Sequence, residues 1–307
     1  MVEITKEKSK ENLKMHLSKL TSDNNPEAPS FMEKFINLEV THTFAESRDG
    51  GETYIWRKIF LHPNSEHRGL LSYEYRKKNK LLYSNENEPK GVAANFGLNE
   101  YVFAYLGSHE SYYAGKKDEN IPAFGVFISK KIEEKNTSNA SRRDLASPEI
   151  LESIKDLSWE EEKEHIKTEF FVPEDARIFI AYEISQKYNG DIWDYWGNLE
   201  YVKVRDNYLN KMWERKAEIH FFEKVQIDDI KGIIWPVKKY RINGGGSDSS
   251  YHIEQIMDFA EKYPRIKIYQ YDWTPKYGHK AFLNASYHIS KHFFDNGEYP
   301  ENQIYKI

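Results

Sequence analysis

Apolar and polar positions alternate most cleanly in Ala217-Glu218-Ile219-His220-Phe221-Phe222, a pattern that predicts a half-buried strand. Ala217, Ile219 and Phe221 fall on one face, and Glu218, His220 and Phe222 on the other. Further strands are predicted at 38–44 (LEVTHTF), 100–107 (EYVFAYLG), 123–128 (AFGVFI), 177–184 (RIFIAYEI), 233–237 (IIWPV) and 266–271 (IKIYQY). Helical spacing occurs over 3–20, where Ile4, Leu13, Leu17 and Leu20 recur among Lys and Glu, and again over 251–262 and 284–295. Ser147 before Pro148 marks a helix start, and Ser158-Trp159-Glu160-Glu161 is a capping box for a helix over 159–168. Residues 199–216 read as a helix feeding the Glu218 strand, and 54–61 fits a strand or a short helix. Between 62 and 99 periodic signals are few, so that stretch is expected to be irregular and exposed. The run Gly244-Gly245-Gly246-Ser247-Asp248-Ser249-Ser250 is the clearest flexible joint.

Several strands with few helices between them predict an α+β fold rather than a doubly wound parallel sheet. The expected organisation is a helical extension over 1–30, a core over 31–243, and a small helix-strand-helix appendage over 251–307. A chain of 307 residues, 39% hydrophobic and 15% aromatic, has ample material for a core. Its formal charge of −5 argues against a protein that coats nucleic acid broadly, but leaves local basic stretches at 76–80, 116–117, 130–131 and 238–241. There is no Cys, which excludes disulfides, thiolate metal sites and a Cys nucleophile. No apolar stretch follows the charged start, so neither a signal peptide nor a membrane span is predicted, and a cytoplasmic location is expected.

The triglycine lacks both a following Lys-Ser/Thr and the G-x-G-x-x-G spacing, and reads as a linker rather than a phosphate loop. His288 and His292 stand four apart on a predicted helix, a spacing that can ligate zinc. No Glu follows His288 in the HExxH manner and no third ligand is evident, so no metal is expected. No G-x-S-x-G elbow occurs. Asp191 and Asp194 could be paired carboxylates for glycoside chemistry, or part of a turn stapled by Trp193, Tyr195 and Trp196. Glu218 is either an exposed strand residue or a carboxylate aimed into a cleft.

Three pieces stand in a fixed order: Val40-Thr41-His42-Thr43, Glu100-Tyr101-Val102-Phe103-Ala104-Tyr105-Leu106, and Lys216-Ala217-Glu218-Ile219-His220-Phe221. Together they resemble ADP-ribosyltransferases, and more narrowly the DarT group of nucleic-acid-modifying toxins, across residues 38–237. The resemblance implies a split β-sheet core with flanking helices, NAD as substrate, and Glu218 as the catalytic carboxylate. It implies that His42 hydrogen-bonds the adenosine ribose, that Thr43 lines the nicotinamide pocket, and that Tyr105 or Tyr113 stacks on nicotinamide. It also implies that Arg76 helps hold the NAD phosphates. Against these stand plainer roles: a core histidine at 42, packing tyrosines, and a solvated surface run at Arg76-Lys77-Lys78.

Two departures from the family pattern bear on the acceptor. Where the family carries P-R-S-P-M-L-Y, this chain has Ser108-His109-Glu110-Ser111-Tyr112-Tyr113. Two residues before Glu218 stands Lys216, where arginine-specific transferases carry Glu or Gln, and a cation there repels a guanidinium acceptor. The implied function is transfer of ADP-ribose to a nucleobase in single-stranded DNA or RNA, by a toxin restrained by an antitoxin protein or used in phage defence. The alternatives are a protein acceptor, or a non-enzymatic interaction protein whose Tyr and Trp surface binds a partner.

Overall fold

The computed structural model describes residues 4–21, 26–45, 60, 62–82, 92–107, 123–135, 138–143, 145, 147–192, 217–236, 250–272, 278–302 and 304–305. In chain order the helices are α1 (Lys6–Leu20), α2 (Met32–Ile36), α3 (Tyr73–Lys78), α4 (Val92–Asn95), α5 (Ile132–Lys135), α6 (Pro148–Ile154), α7 (Trp159–Thr168), α8 (Pro173–Lys187), α9 (Ser250–Lys262) and α10 (Gly278–Asn296). The strands are β1 (Val40–Ala45), β2 (Gly69–Leu71), β3 (Tyr101–Leu106), β4 (Ala123–Ile128), β5 (Ser138–Ser141), β6 (Phe170–Phe171), β7 (Glu218–Phe222), β8 (Lys224–Gln226), β9 (Ile230–Pro236), β10 (Lys267–Tyr271) and β11 (Ile304–Tyr305). The fold is α+β. Two compact units, each discontinuous in sequence, comprise 1–38, 72–106 and 133–223, and 39–71, 107–132 and 224–307.

In the first unit β3, β7, β5 and β6 form an antiparallel sheet in that order. Register places Tyr105, Glu218 and Ser141 in one cross-strand row, and Phe103, His220 and Asn139 in the next row of the same face. Further along this face Tyr101 joins, and Phe222 packs against, a core with Phe96, Leu98, Leu145, Ile150, Ile154 and Ile166, to which Phe170, the β6 partner of Ser141, also belongs. The opposite face carries Ala104, Ile219, Ala140 and Phe171. There the Phe171 ring stacks on Phe179 of α8.

Helix α8 corrects one expectation, since 177–184 was predicted as a strand. Pro173 fits the first turn, where its missing N–H costs nothing, and Glu174 and Asp175 complement the helix dipole. Arg177, Ile180, Ala181, Glu183 and Ile184 are all buried, so no polar stripe reveals the 3.6-residue period, and the Ile-rich run mimics a strand. Helix α1 differs in another way. Its buried positions are Ser9, Asn12 and His16 rather than the leucines. Ser9 Oγ donates to Asp175 Oδ2 (2.5 Å), and Asn12 Nδ2 donates to the Lys167 and Phe170 carbonyls (2.9 and 2.8 Å).

In the second unit β1, β4 and β9 pair antiparallel, while β9, β10 and β11 pair parallel. Strands β2 and β8 form a separate antiparallel ribbon. Tyr269 and Tyr271 of β10 are fully buried, and the Tyr269 hydroxyl donates to the Pro300 carbonyl (2.9 Å). The segment expected as an appendage is therefore part of this unit's sheet, and α1 belongs to the first unit. The boundaries expected at 30 and 243 fall inside the two units. Residues 62–99 also differ from expectation: Leu70, Tyr73, Phe96 and Leu98 are buried, and β2, α3 and α4 give the stretch regular structure. The expected elements at 54–59 and 199–216 and the joint at 244–249 lie outside the described residues. Among the described residues no helix is long and apolar enough to cross a membrane.

Candidate active site

Glu218 opens β7 and is only 5% exposed, although its neighbours in sequence give it no apolar period of its own. Along its face the strand runs from Phe222, packed on the hydrophobic core, through His220 to Glu218. The face thus changes from apolar to polar over five residues, and the carboxylate stands at the polar end. Tyr105 is its direct partner on β3 and Ser141 its partner on β5. A buried carboxylate requires compensation, because desolvation disfavours the charged form. His220 lies beside it, with Nε2 3.5 Å from Glu218 Oε2.

His220 is fully buried, with the rings of Phe103, Phe170 and Tyr101 packed around it at centroid distances of 5.1, 6.0 and 6.3 Å. Its Nδ1 lies 2.5 Å from Asn139 Oδ1, and its Nε2 3.5 Å from Ser141 Oγ. Immediately after Ser141, Arg142 and Arg143 enter a charge network that is buried except at Glu149. Arg142 pairs with Glu169 (2.8 Å) and Glu149 (2.6 Å), and Arg143 with Glu149 (3.3 Å) and Glu183. Burial pushes the Glu183 carboxyl up, but Arg143 and Lys187 beside it more than reverse this and hold it below the ordinary range.

The sequence-derived candidates are placed as follows. Tyr105 and Glu218 are brought together as cross-strand partners. Arg76 sits in the last turn of α3, whose N-cap Ser72 donates its backbone N–H to the Glu223 carbonyl (2.8 Å), at the far end of β7 from Glu218. His42 and Thr43 lie on β1 in the second unit, opposite Val126 and Gly125. His42 is half-buried. The Thr43 hydroxyl is buried and finds no hydrogen-bond partner among the described residues. Gly125 presents no side chain opposite it, and a glycine within a strand often marks a close approach by a ligand or another backbone. Tyr113, Asp194 and Lys216 lie outside the described residues.

Asn139 and Ser141 were not singled out from sequence. They belong to Ser-Asn-Ala-Ser, a four-residue strand with neither alternation nor β-branched residues to announce it. Among the described residues no group of three or more His, Asp or Glu side chains could hold a metal ion.

No protein-family model matches the sequence. Nor does any curated protein match it. Among solved structures the chain is similar to DarTG of Thermosipho africanus in complex with ADP-ribose, at 11% identity and a TM-score of 0.34 over 78% of this chain. It spans about half the length of that protein (51%). It is also similar to DarT of Thermus sp. 2.9 in complex with NAD+, at 12% identity and a TM-score of 0.38, covering 80% of this chain and 97% of that one. At such identities and scores the chemistry has to come from the residues of this chain.

Proposed function

We propose that the chain is an NAD-dependent mono-ADP-ribosyltransferase with Glu218 as its catalytic carboxylate. The observation that carries the reading is Glu218 itself, a 5%-exposed carboxylate at the polar end of a sheet face that is apolar at Phe222, with an aromatic residue, Tyr105, directly beside it. In the reaction the bond between nicotinamide nitrogen and ribose C1′ breaks, and its electron pair leaves with neutral nicotinamide. Positive charge develops on C1′ and the ring oxygen. A nitrogen or oxygen of the acceptor then donates an electron pair to C1′ and loses its proton. A fixed carboxylate that accepts a hydrogen bond from a ribose hydroxyl stabilises that cation more than the ground state, which is the condition for catalysis.

Tyr105, half-buried beside Glu218, is suited to stack on nicotinamide. Arg76 starts one strand length away, so its role is with the diphosphate rather than the reacting ribose. His42 and Thr43 keep the NAD contacts that the resemblance implies, and the Thr43 hydroxyl, buried with no partner among the described residues, supports a polar ligand there. The acceptor we propose is a nucleobase in single-stranded DNA or RNA, because Lys216 disfavours a cationic acceptor. On this reading the protein is a cytoplasmic toxin held in check by an antitoxin, or a phage-defence effector.

The test is incubation of wild type and Glu218→Gln with NAD labelled in the adenylate, separately with single-stranded DNA, RNA and bulk protein. Label on one nucleic acid, reduced about 10²- to 10³-fold by Glu218→Gln, is the expected result. Label on protein alone moves the acceptor to a side chain. No label anywhere, with no NAD binding, overturns the reading.

A further inference from the structure

Four large apolar side chains are exposed among the described residues, and three of them, Leu151, Leu157 and Trp159, fall within α6 and its turn into α7. Leu157 precedes the N-cap Ser158, where a hydrophobic staple would pack it on the fourth residue of the helix, but that residue is Glu162. Trp159, the first residue of α7, is 43% exposed even with the Phe96 ring 5.9 Å away and Lys163 Nζ 4.8 Å from its own ring centroid. The frame beneath is fixed. Ile150, Ile154 and Ile166 are buried in the core of the first unit, Ser153 Oγ lies 3.0 Å from His165 Nε2, and the capping box holds the start of α7. Tryptophan is among the side chains that most often anchor a protein interface, and one already held in place loses little freedom when it is covered.

The surrounding charge decides what can cover these residues. Segment 149–164 holds seven carboxylates against two lysines, an excess equal to the −5 of the whole chain. Both lysines are paired inside the segment, Lys155 with Glu152 and Lys163 with Glu160. Glu149 faces Arg142 and Arg143. Asp156, Glu161 and Glu162, next to Leu157 and Trp159 in the chain, pair with no cation among the described residues. Such a field repels the phosphates of nucleic acid and of anionic lipid, and it repels a second copy presenting the same surface. It attracts a cationic partner.

We propose that the α6–α7 surface docks a basic amphipathic segment of another protein, its apolar residues covering Leu151, Leu157 and Trp159 and its Lys or Arg residues facing Asp156, Glu161 and Glu162. The experiment selects a displayed library of helical peptides, random at their surface positions, on the immobilised full chain, after removal of peptides that bind the Leu157→Ser/Trp159→Ser double variant. We expect survivors rich in Lys and Arg around aliphatic or aromatic residues three or four apart. One survivor, made synthetically, should bind about tenfold or more weakly to Trp159→Ser and to Asp156→Lys/Glu162→Lys, and should weaken as salt is raised. Melting temperatures show that each variant is folded, and Leu157→Ser tests the same face if Trp159→Ser is not. No survivors, survivors without an excess of cations, or binding indifferent to the apolar and charge variants overturns the proposal. So does binding of single-stranded DNA or phosphatidylglycerol vesicles, or dimerisation by sedimentation, that Trp159→Ser abolishes, because each gives the same face a different occupant.

Discussion

A carboxylate that is 5% exposed and a buried hydroxyl with no partner among the described residues are both costly, and each is informative for that reason. An unsatisfied buried hydroxyl costs about 1–3 kcal/mol. Thr43→Val removes that hydroxyl at nearly constant volume, so the unliganded protein should melt higher, while NAD binding weakens; calorimetry on the same sample reads both. His16 makes a second test. Burial lowers its pKa from 6.5 by more than Glu169, 3.8 Å away, raises it. As pH falls below 6.5 the unfolded chain takes up the proton first, so stability should decline with falling pH. His16→Gln, which can still donate to the Thr168 carbonyl, should give a flatter dependence of melting temperature between about pH 7 and 5. The alternation around Glu218 placed His220 on its face, and the structure agrees. Burial of Glu218 was not legible, because it comes from Tyr105 and Ser141 on strands more than seventy residues away in sequence.

At the level of elements, alternating strands and capped helices were readable because their signals are local. Strands β1, β3, β4, β9 and β10 and helices α6, α7 and α9 stand where their patterns put them, with Ser158 and Glu161 making both bonds of a capping box. Helix α8 was unreadable because its less buried stripe carries Ile178 and Tyr182, and its buried Arg177 and Glu183 look like the polar half of an alternating strand. Glu183 ties α8 to Arg143, just beyond β5, with the two side chains 1% and 4% exposed. Removing Arg143 leaves the buried Glu183 carboxylate with the half-exposed Lys187 as its remaining partner among the described residues, and Arg143→Ala should cost about 3 kcal/mol in denaturant unfolding. Because the Glu183 carboxyl is held below its ordinary 4.5, the unfolded state binds more protons in acid. This contribution is complete above pH 4.5 and fades as pH falls through the lowered value. Glu183→Gln should therefore lose stability at neutral pH yet show a shallower acid limb.

At the scale of the molecule, length and composition predicted a folded α+β chain, and the expected boundary at 243 followed the Gly-rich joint. Pairing of β10 beside β9 is a contact between residues 30 or more apart, for which a Gly-rich segment gives no sign. At that seam a side chain on Gly232 would stand 3.0 Å from the Tyr269 ring, so the two strands are fitted closely. A chain ending at 243 should lose cooperative unfolding of the second unit and aggregate, since it exposes β9 and discards the buried Tyr269, Tyr271, Phe282 and Ile289. A soluble 1–243 protein with the full-length near-ultraviolet circular dichroism would contradict that. The most direct measurement of the central claim is calorimetric titration of the full chain with NAD, followed by nicotinamide release from the same sample, for wild type and Glu218→Gln. The account predicts that both proteins bind NAD with similar affinity and that only wild type releases nicotinamide at an appreciable rate. Equal release by the two proteins would contradict the role given to Glu218.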